Sequence, residues 1–248
     1  MLRKLVVVIA GVSILVSAAL AGESLSPAPP SSRDKGAPAE VASTDSALEA
    51  LLARMDAKAR ETKTLQADIT VTNTENFSGR QSVRSGKIYV RKPSDLFLDL
   101  ESPYPRKIWI SSDAVTDYRP DLKTGDRVKL AAGAQRPQVI GLSTTADELR
   151  QSFNITLAPP NEKPKEYTLT LTPKENVKVD FTSADVEIDA ATLLPVSIVQ
   201  KNKDLDETKT YTFVAVKINP RLSDSLFEPK FPRDADIQEH EGEGWKGP

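Results

Sequence analysis

The chain has 248 residues, of which 39% are hydrophobic and 27% are charged, a composition that suits a folded globular protein with one sizeable domain or two small ones. Its formal charge of −2 provides no basic field for nucleic acid, so we expect no nucleic-acid partner. The absence of cysteine and the single histidine, His240, exclude disulfide bonds, thiol catalysis and zinc sites built from cysteine and histidine.

The first 21 residues have the pattern of a secretory signal peptide. Arg3 and Lys4 precede an apolar run over residues 5–20, and Ala19 and Ala21 form a small-x-small ending. The alternative is a membrane anchor that is never cleaved, but the run is shorter than the roughly 20 residues that cross a bilayer. We therefore predict cleavage after Ala21 and export of the mature chain.

A linker and then a helix are predicted for the next part of the chain. Residues 22–45 are rich in proline, serine and alanine and have no apolar period, which predicts a disordered tether. A helix is predicted to begin at Ser46, which has capping-box spacing with Glu49. Leu52 and Met55 recur on one side of this helix, so it needs an apolar surface to cover.

Strand patterns follow almost without interruption. Short runs of aliphatic and aromatic residues are separated by Pro, Asp, Ser and Gly, which predicts about ten antiparallel strands. In the third of these strands Leu96, Leu98 and Leu100 lie on one face, because side chains alternate along a strand. The following strand places Ile108 and Ile110 on one face in the same way.

A second, short helix interrupts the strands. Thr144 or Thr145 is its predicted N-cap, and Leu149 and Phe153 form its apolar side. Acidic residues near its beginning suit the positive end of the helix dipole.

The last predicted strand has apolar residues on both sides. Tyr211 and Phe213 alternate with Val214, and Val216 and Ile218 continue the series, so we expect this strand to be covered on both faces. The acidic, glycine-rich end of the chain is predicted to be disordered over residues 238–248.

Together these elements predict an α+β protein that is mainly β. A single antiparallel sheet of this size is expected to curve strongly into an unclosed half-barrel, with the helices covering its concave face. The folded domain is predicted to extend over residues 46–237.

The order of motifs resembles the LolA/LolB-like superfamily, and LolA-like periplasmic lipoprotein carriers in particular. The resemblance rests on the amphipathic helix, on GKIYVRKPSDLFLDL at residues 86–100, on KIWISSD at residues 107–113, and on YRPDL at residues 118–122. A late hairpin, DAATLLPVSIVQ at residues 189–200, belongs to it as well.

In that family an unclosed barrel and its helical lid enclose an apolar cavity for acyl chains. The resemblance therefore implies an acyl-binding role for the apolar side chains of the predicted strands and helices. These are Leu96, Leu98, Leu100, Ile108, Ile110, Leu52, Met55 and Leu149. The family's lid-contacting arginine corresponds in position to Lys92, before Pro93, and in chemistry to Arg91; both are candidates for the lid contact.

The resemblance implies a periplasmic carrier that binds lipoprotein acyl chains and delivers them to the outer membrane. Its expected partners are a lipoprotein-releasing ABC transporter of the inner membrane and an outer-membrane receptor, and the carrier is expected to act as a monomer. Two alternatives remain: an envelope-stress sensor of the same fold, or a carrier of free lipid or glycolipid. The sensors carry a further domain after the barrel, and the short remainder of this sequence favours the carrier.

Catalysis is not expected from this sequence. Without cysteine, and with His240 in the predicted tail, the usual pairs of nucleophile and base are missing. Asp204, Asp206 and Glu207 are grouped, but no glycine-centred calcium loop surrounds them. We therefore predict no enzymatic activity, no cofactor and no metal site.

Overall fold

The computed structural model describes residues 39–130, 145–159, 165–175, 177, 179, 181–202 and 206–241. They form the helices α1 (Ala39–Glu61) and α2 (Ala146–Ser152) and a short 3-10 helix (Asp224–Leu226). The strands are β1 (Thr64–Glu75), β2 (Gln81–Arg91), β3 (Asp95–Ser102), β4 (Arg106–Ile110), β5 (Ala114–Arg119), β6 (Thr124–Lys129), β7 (Phe153–Leu157), β8 (Glu166–Pro173), β9 (Ser183–Asp189), β10 (Pro195–Asn202), β11 (Glu207–Ile218) and β12 (Asp236–Glu241). Within this part of the chain no helix is long and apolar enough to cross a membrane. The predicted signal peptide lies outside the described residues.

One curved sheet contains all these strands, in the order β12-β6-β5-β4-β3-β2-β1-β11-β10-β9-β8-β7. Neighbours pair antiparallel except at one edge, where β12 runs parallel to β6. In the described residues the two edge strands, β12 and β7, do not pair with each other, so the sheet is unclosed. The predicted fold class, mainly β with an open, curved sheet and accompanying helices, is confirmed; the parallel edge strand was not predicted.

We call the side of the sheet that faces the two helices the inner face. Alternation along each strand determines which side chains lie on it. In β1 every second residue from Leu65 to Val71 is buried. These side chains join Leu51 of α1 and Leu149 of α2 in one apolar cluster. The helices therefore cover the inner face with their own apolar sides, as amphipathic helices do.

The alternation of inward and outward side chains shifts by one residue along β11. Its register with β1 shifts close to Ala215, which has a φ of 52° and forms a β-bulge. Phe213 before the bulge and Val216 and Ile218 after it all contact the apolar cluster of the inner face, whereas Val214 is 56% exposed. The prediction that β11 is covered on both faces is therefore wrong, because a period of two does not hold across the bulge.

α1 begins earlier in the chain than predicted. Its first residue is Ala39, so Ser46 and Glu49 lie within the helix instead of capping it. Capping-box spacing is not sufficient to fix a helix start when the preceding residues also adopt the helical conformation. The boundary at residue 45 between tether and folded domain is therefore wrong from Ala39 onward, and the rest of the predicted tether lies outside the described residues.

α2 has the predicted cap but ends sooner. Thr145 is the N-cap: its hydroxyl accepts a hydrogen bond from the Glu148 backbone N–H at 3.3 Å, and the Glu148 carboxylate accepts one from the Thr145 N–H at 2.8 Å. Phe153 does not extend the apolar side of this helix. It begins β7, a strand that the sequence did not predict, and its ring is buried in the inner cluster.

The opposite side of the sheet, the outer face, carries an aromatic cluster that the C-terminal part of the chain covers. Trp109 and Tyr118 are buried, and Phe231 packs edge-on against both rings, with centroid separations of 6.0 and 5.1 Å. The Trp109 Nε1–H donates a hydrogen bond to the carbonyl of Leu226 at 3.0 Å. The segment after β11 is therefore held against the sheet by packing and by a directed bond.

β12 corrects the predicted position of the disordered tail. It extends to Glu241 beside β6, where Lys129 lies 3.1 Å from Glu239 and His240 Nε2 lies 2.9 Å from Asp126 Oδ1. Predicted disorder is therefore wrong for residues 238–241, because β6 offers a free strand edge and oppositely charged neighbours for an acidic strand. Residues 242–248 lie outside the described residues.

Replacing Phe231 with alanine is expected to lower the free energy of unfolding by about 2 kcal/mol, because the half-buried ring packs on two aromatic side chains. Urea denaturation measures the loss. Phe77 is 95% exposed, so Phe77→Ala is a control of the same residue type and should change stability by less than about 0.5 kcal/mol. Equal effects of the two substitutions would contradict the packing of the C-terminal segment.

Candidate functional site

The side chains predicted to bind acyl chains lie together against the inner face. Seven of them are buried and belong to its apolar cluster, with exposed fractions between 1% for Leu52 and 8% for Met55, and Ile108 is half-buried against the same cluster. Their positions are Leu96, Leu98 and Leu100 in β3, Ile108 and Ile110 in β4, Leu52 and Met55 in α1, and Leu149 in α2. The structure thus brings all eight together; their role in binding stays a prediction.

The register of the sheet explains this grouping. β3 pairs with β4 so that Leu96 lies opposite Ile110 and Leu98 lies opposite Ile108. Residues directly opposite on two antiparallel strands project to the same face. The leucines of β3 and the isoleucines of β4 therefore form one continuous apolar surface, and α1 and α2 supply apolar residues above it.

Of the two candidates for the lid contact, Lys92 is the one that reaches α1. Its Nζ donates a hydrogen bond to the carbonyl of Ala59 near the C-terminal end of α1, at 2.5 Å. Burial lowers the pKa of the Lys92 ammonium, and the Glu148 carboxylate partly opposes that change. A cation near the last turn also interacts favourably with the helix dipole.

Arg91 points to the outer face instead. Its Nε donates to the Asp95 carboxylate at 2.8 Å, and it forms an ion pair with Asp224 of the C-terminal segment. The guanidinium lies over the ring of Phe227, 4.3 Å from the centroid. Since neighbouring residues alternate across a strand, Arg91 and Lys92 contact the two opposite coverings of the sheet.

Several directed contacts hold α1 to the rest of the molecule. The Asp56 carboxylate accepts a hydrogen bond from the Ala146 N–H at 2.7 Å, which ties α1 to the beginning of α2. Glu49 forms an ion pair with Arg150 of α2 at 2.5 Å, and Arg54 NH1 donates to the Tyr167 hydroxyl at 3.3 Å, at an exposed site. The larger part of the interface is the apolar cluster, whose contacts are not directional.

The connection from α1 to β1 is fixed by one side chain. Asn219, at the end of β11, has a φ of 54°; its Oδ1 accepts a hydrogen bond from the Lys63 N–H at 2.7 Å, and its Nδ2 donates to the Glu61 carbonyl at 3.1 Å. These bonds satisfy backbone groups at the point where the helix ends. The C-terminal end of α1 is therefore anchored at the sheet.

The sequence analysis missed a buried ion pair on the inner face. Arg106 Nε and NH2 donate to the two carboxylate oxygens of Asp117 at 2.8 and 2.6 Å, and the residues are only 9% and 4% exposed. Arg106 alternates with Ile108 and Ile110 in β4, which places it at the same face as the apolar residues. That alternation was visible in the sequence and could have identified Arg106.

Burial dominates the electrostatics of this pair. It raises the pKa of the Asp117 carboxyl, and the Arg106 guanidinium opposes the rise; likewise burial lowers the pKa of Arg106, and Asp117 opposes the fall. Arg84, Arg119 and Asp126 add weaker charge effects. The pair therefore offsets a desolvation cost that either partner alone would leave uncompensated.

This arrangement suits the binding of an apolar ligand. In the part of the chain that the structure describes, no group of three or more His, Asp or Glu residues could hold a metal ion. The inner face offers an apolar surface with charged residues at the start of β4 and in β5. Such a surface fits an elongated apolar ligand.

Comparison with known proteins gives consistent matches. Residues 60–230 match the family described as "Outer membrane lipoprotein carrier protein LolA". An outer-membrane lipoprotein carrier protein of Coxiella burnetii (strain RSA 331 / Henzerling II) is 25% identical over 168 residues, which cover 66% of this chain and 77% of the relative. The matched family region contains all the predicted site residues of the sheet and of α2, whereas Leu52 and Met55 of α1 precede it.

Two solved structures are similar to this chain at low sequence identity. An uncharacterized conserved protein from Thermus thermophilus has a TM-score of 0.50 and 14% identity, and the match covers 79% of this chain and 99% of that one. A LolA superfamily protein from Nitrosomonas europaea has a TM-score of 0.39 and 10% identity, covering 72% of this chain and 97% of that one. The match to the Thermus structure supports only the assignment of the fold.

Arg106→Met is expected to lower the free energy of unfolding by about 3–5 kcal/mol at pH 7, because it leaves the buried Asp117 carboxylate unpaired. Replacing both partners, as Arg106→Met with Asp117→Leu, should recover most of that loss. The neighbouring Lys107→Met is the control: its ion pair with Asp99 is partly exposed and is worth at most about 1 kcal/mol. Urea denaturation of the four proteins checks the prediction; a double variant as unstable as Arg106→Met would contradict it.

Proposed function

The chain belongs to the LolA family, and from that premise we propose that it is a carrier in the periplasm. It binds the acyl chains of lipoproteins against the inner face of its sheet and delivers them to the outer membrane. The similarity to the Coxiella burnetii outer-membrane lipoprotein carrier protein supports this proposal. The site consists of the eight apolar residues of β3, β4, α1 and α2 defined above.

The observation that carries the proposal is the leucine stripe of β3. Leu96, Leu98 and Leu100 are at most 5% exposed, and they lie beneath helices that are attached mainly by apolar contacts. An acyl chain presents the same chemistry as the helix side chains that now cover the stripe. It can therefore replace them without leaving polar groups unpaired.

The driving force is burial of methylene groups. Each methylene removed from water contributes about 0.8 kcal/mol, so a chain of about 16 carbons gains roughly 12 kcal/mol before the costs of binding. These contacts have no preferred direction and depend on area alone. A carrier that uses them can bind chains of varied structure and can give them up to an acceptor that buries them equally well.

Access to the inner face requires α1 to move away from the sheet. The connection at residues 61–64 is held by Asn219, so α1 swings about its C-terminal end while the rest of the helix separates from β3 and β4. The directed bonds that close the lid link Asp56 to Ala146, Arg54 to Tyr167 and Glu49 to Arg150. α1 is thus a lid, and the bond of Lys92 to Ala59 holds its last turn beside the pivot.

The proposed cycle requires a donor and an acceptor but no chemical step. By family, the donor is a lipoprotein-releasing ABC transporter of the inner membrane, and the acceptor is an outer-membrane receptor. The carrier acts as a monomer, needs no cofactor and does not act as an enzyme. It transfers acyl chains from one buried apolar environment to another.

Ile108→Gln is expected to lower the affinity for acylated peptide about tenfold, because a polar amide at the half-buried inner face would have to be desolvated against the acyl chain. Val214→Gln is the matched control, since Val214 is 56% exposed on the outer face. Binding of a fluorescent triacylated peptide to each purified protein measures the effect, and circular dichroism confirms that the variants fold. Equal affinities of the two variants would place the binding site elsewhere.

Cargo identification separates this function from its rivals. Mass spectrometry of the protein purified from its native envelope should detect bound lipoproteins, and these should pass to outer-membrane vesicles on mixing. Copurified free lipid without lipoprotein would support a lipid carrier instead. Tight binding of acylated peptide without transfer, together with a copurified regulatory protein, would support a sensor.

Lys92→Met should loosen the last turn of the lid, because the substitution keeps the length of the side chain but removes the donor to the Ala59 carbonyl. We expect amide hydrogen exchange in the second half of α1 to rise about tenfold, while exchange in β1 stays unchanged. Lys63→Met serves as the control, since Lys63 is exposed and adjacent to the same helix end. Unchanged exchange in Lys92→Met would show that this bond does not hold the last turn of the lid.

A further inference from the structure

The inner face is not apolar along its whole length. At the end of the sheet that carries the β1–β2 and β10–β11 turns, a row of three polar residues crosses adjacent strands: Gln200 of β10 lies opposite Lys209 of β11, which lies opposite Asn73 of β1. Alternation along each strand places them on the same side as Ile198, Tyr211 and Val71 of the apolar cluster. We call these three residues the polar row.

Two residues of the polar row are buried, and Asn73 is half-buried. Gln200 is 3% exposed and Lys209 is 8% exposed, values that are unusual for these residue types. The Gln200 Nε2 and the Asn73 Oδ1 are both inaccessible to solvent, and neither has a hydrogen-bond partner within the described structure. Nearly all buried polar atoms in native proteins are paired, so a donor and an acceptor left open together indicate a missing partner.

The position of the polar row indicates the chemistry of the missing partner. The next row toward the middle of the sheet is apolar, with Ile198 opposite Tyr211 and Tyr211 opposite Val71. A ligand that fills both rows must therefore be apolar along its length and polar at one end. Its polar end must accept a hydrogen bond from Gln200 and donate one to Asn73.

We propose that the polar row binds the amide linkage of an N-acylated group, such as the acylated N-terminus of a peptide. An amide has a carbonyl oxygen that can accept from Gln200 Nε2 and an N–H that can donate to Asn73 Oδ1, whereas an ester has only the acceptor. This inference rests on the proposed carrier function and specifies which part of the cargo the inner face recognises.

The proposal predicts selectivity between two probes that have the same three acyl chains. One probe is a synthetic peptide with two ester-linked chains and one amide-linked acyl chain on its N-terminal amine. The other is the same peptide with a hydroxyl in place of that amine, so that its third chain is also linked by an ester. The wild-type protein should bind the amide-bearing probe more tightly, and a phosphatidylglycerol vesicle tests whether ester-linked lipid competes equally well.

The decisive variant is Gln200→Leu. Leucine has nearly the volume of glutamine and removes the unpaired buried donor, so the variant should fold and should be at least as stable as the wild type in urea. We expect its affinity for the amide-bearing probe to fall about tenfold, and the preference for that probe over the all-ester probe to disappear. Asn73→Ala, on another strand, should cause the same loss of preference. Ile198→Leu, on the neighbouring apolar row, is the matched control and should keep it.

The outcomes separate the two proposals. If the wild-type protein binds neither acylated probe, the carrier function itself fails. If it binds both probes but Gln200→Leu and Asn73→Ala leave their ratio unchanged, the carrier function stands and the polar row does not recognise the linkage. Equal competition by phosphatidylglycerol would likewise overturn the assignment to an amide, since that lipid offers only ester carbonyls.

Discussion

The molecule is organised by one requirement: an open sheet has two faces, and each apolar face must be covered. α1 and α2 cover the inner face with leucine, methionine and alanine side chains. The C-terminal segment covers the aromatic cluster of the outer face with Phe231 and Ile237 and adds β12 to the edge. Because the outer covering includes packed rings and a sheet ladder, whereas the inner one is mainly apolar contact, the inner covering is the one suited to exchange with a ligand.

Two adjacent residues connect these coverings to the same strand end. Arg91 bonds to the C-terminal segment, and Lys92 bonds to α1, because the direction of side chains reverses between them. The chemical difference between the residues fits their positions. The planar guanidinium of Arg91 pairs with two carboxylates and stacks on Phe227, while Lys92 places a single ammonium at a helix terminus.

The sequence was sufficient to predict those features that follow from local rules. Alternation located the leucines of β3 on one face, and the two cap candidates, Thr144 and Thr145, located the start of α2 to within one residue. The bulge at Ala215 was not predictable in this way, because it is fixed by the pairing of β11 with β1. β12 was missed for a related reason: its acidic sequence forms a strand only because the edge of β6 is available. The family resemblance identified the fold but gave no indication of Arg106 or of the polar row.

The open edges of the sheet have a mechanical consequence. A closed barrel has its radius set by strand number and shear, so its interior volume is fixed by hydrogen bonding. Here β7 and β12 end the described sheet without joining, and the strand twist between them is free of that closure condition. Small changes of twist, spread over many strand pairs, can therefore change the curvature of the inner face without breaking a backbone hydrogen bond. The same sheet can then accommodate coverings of different bulk.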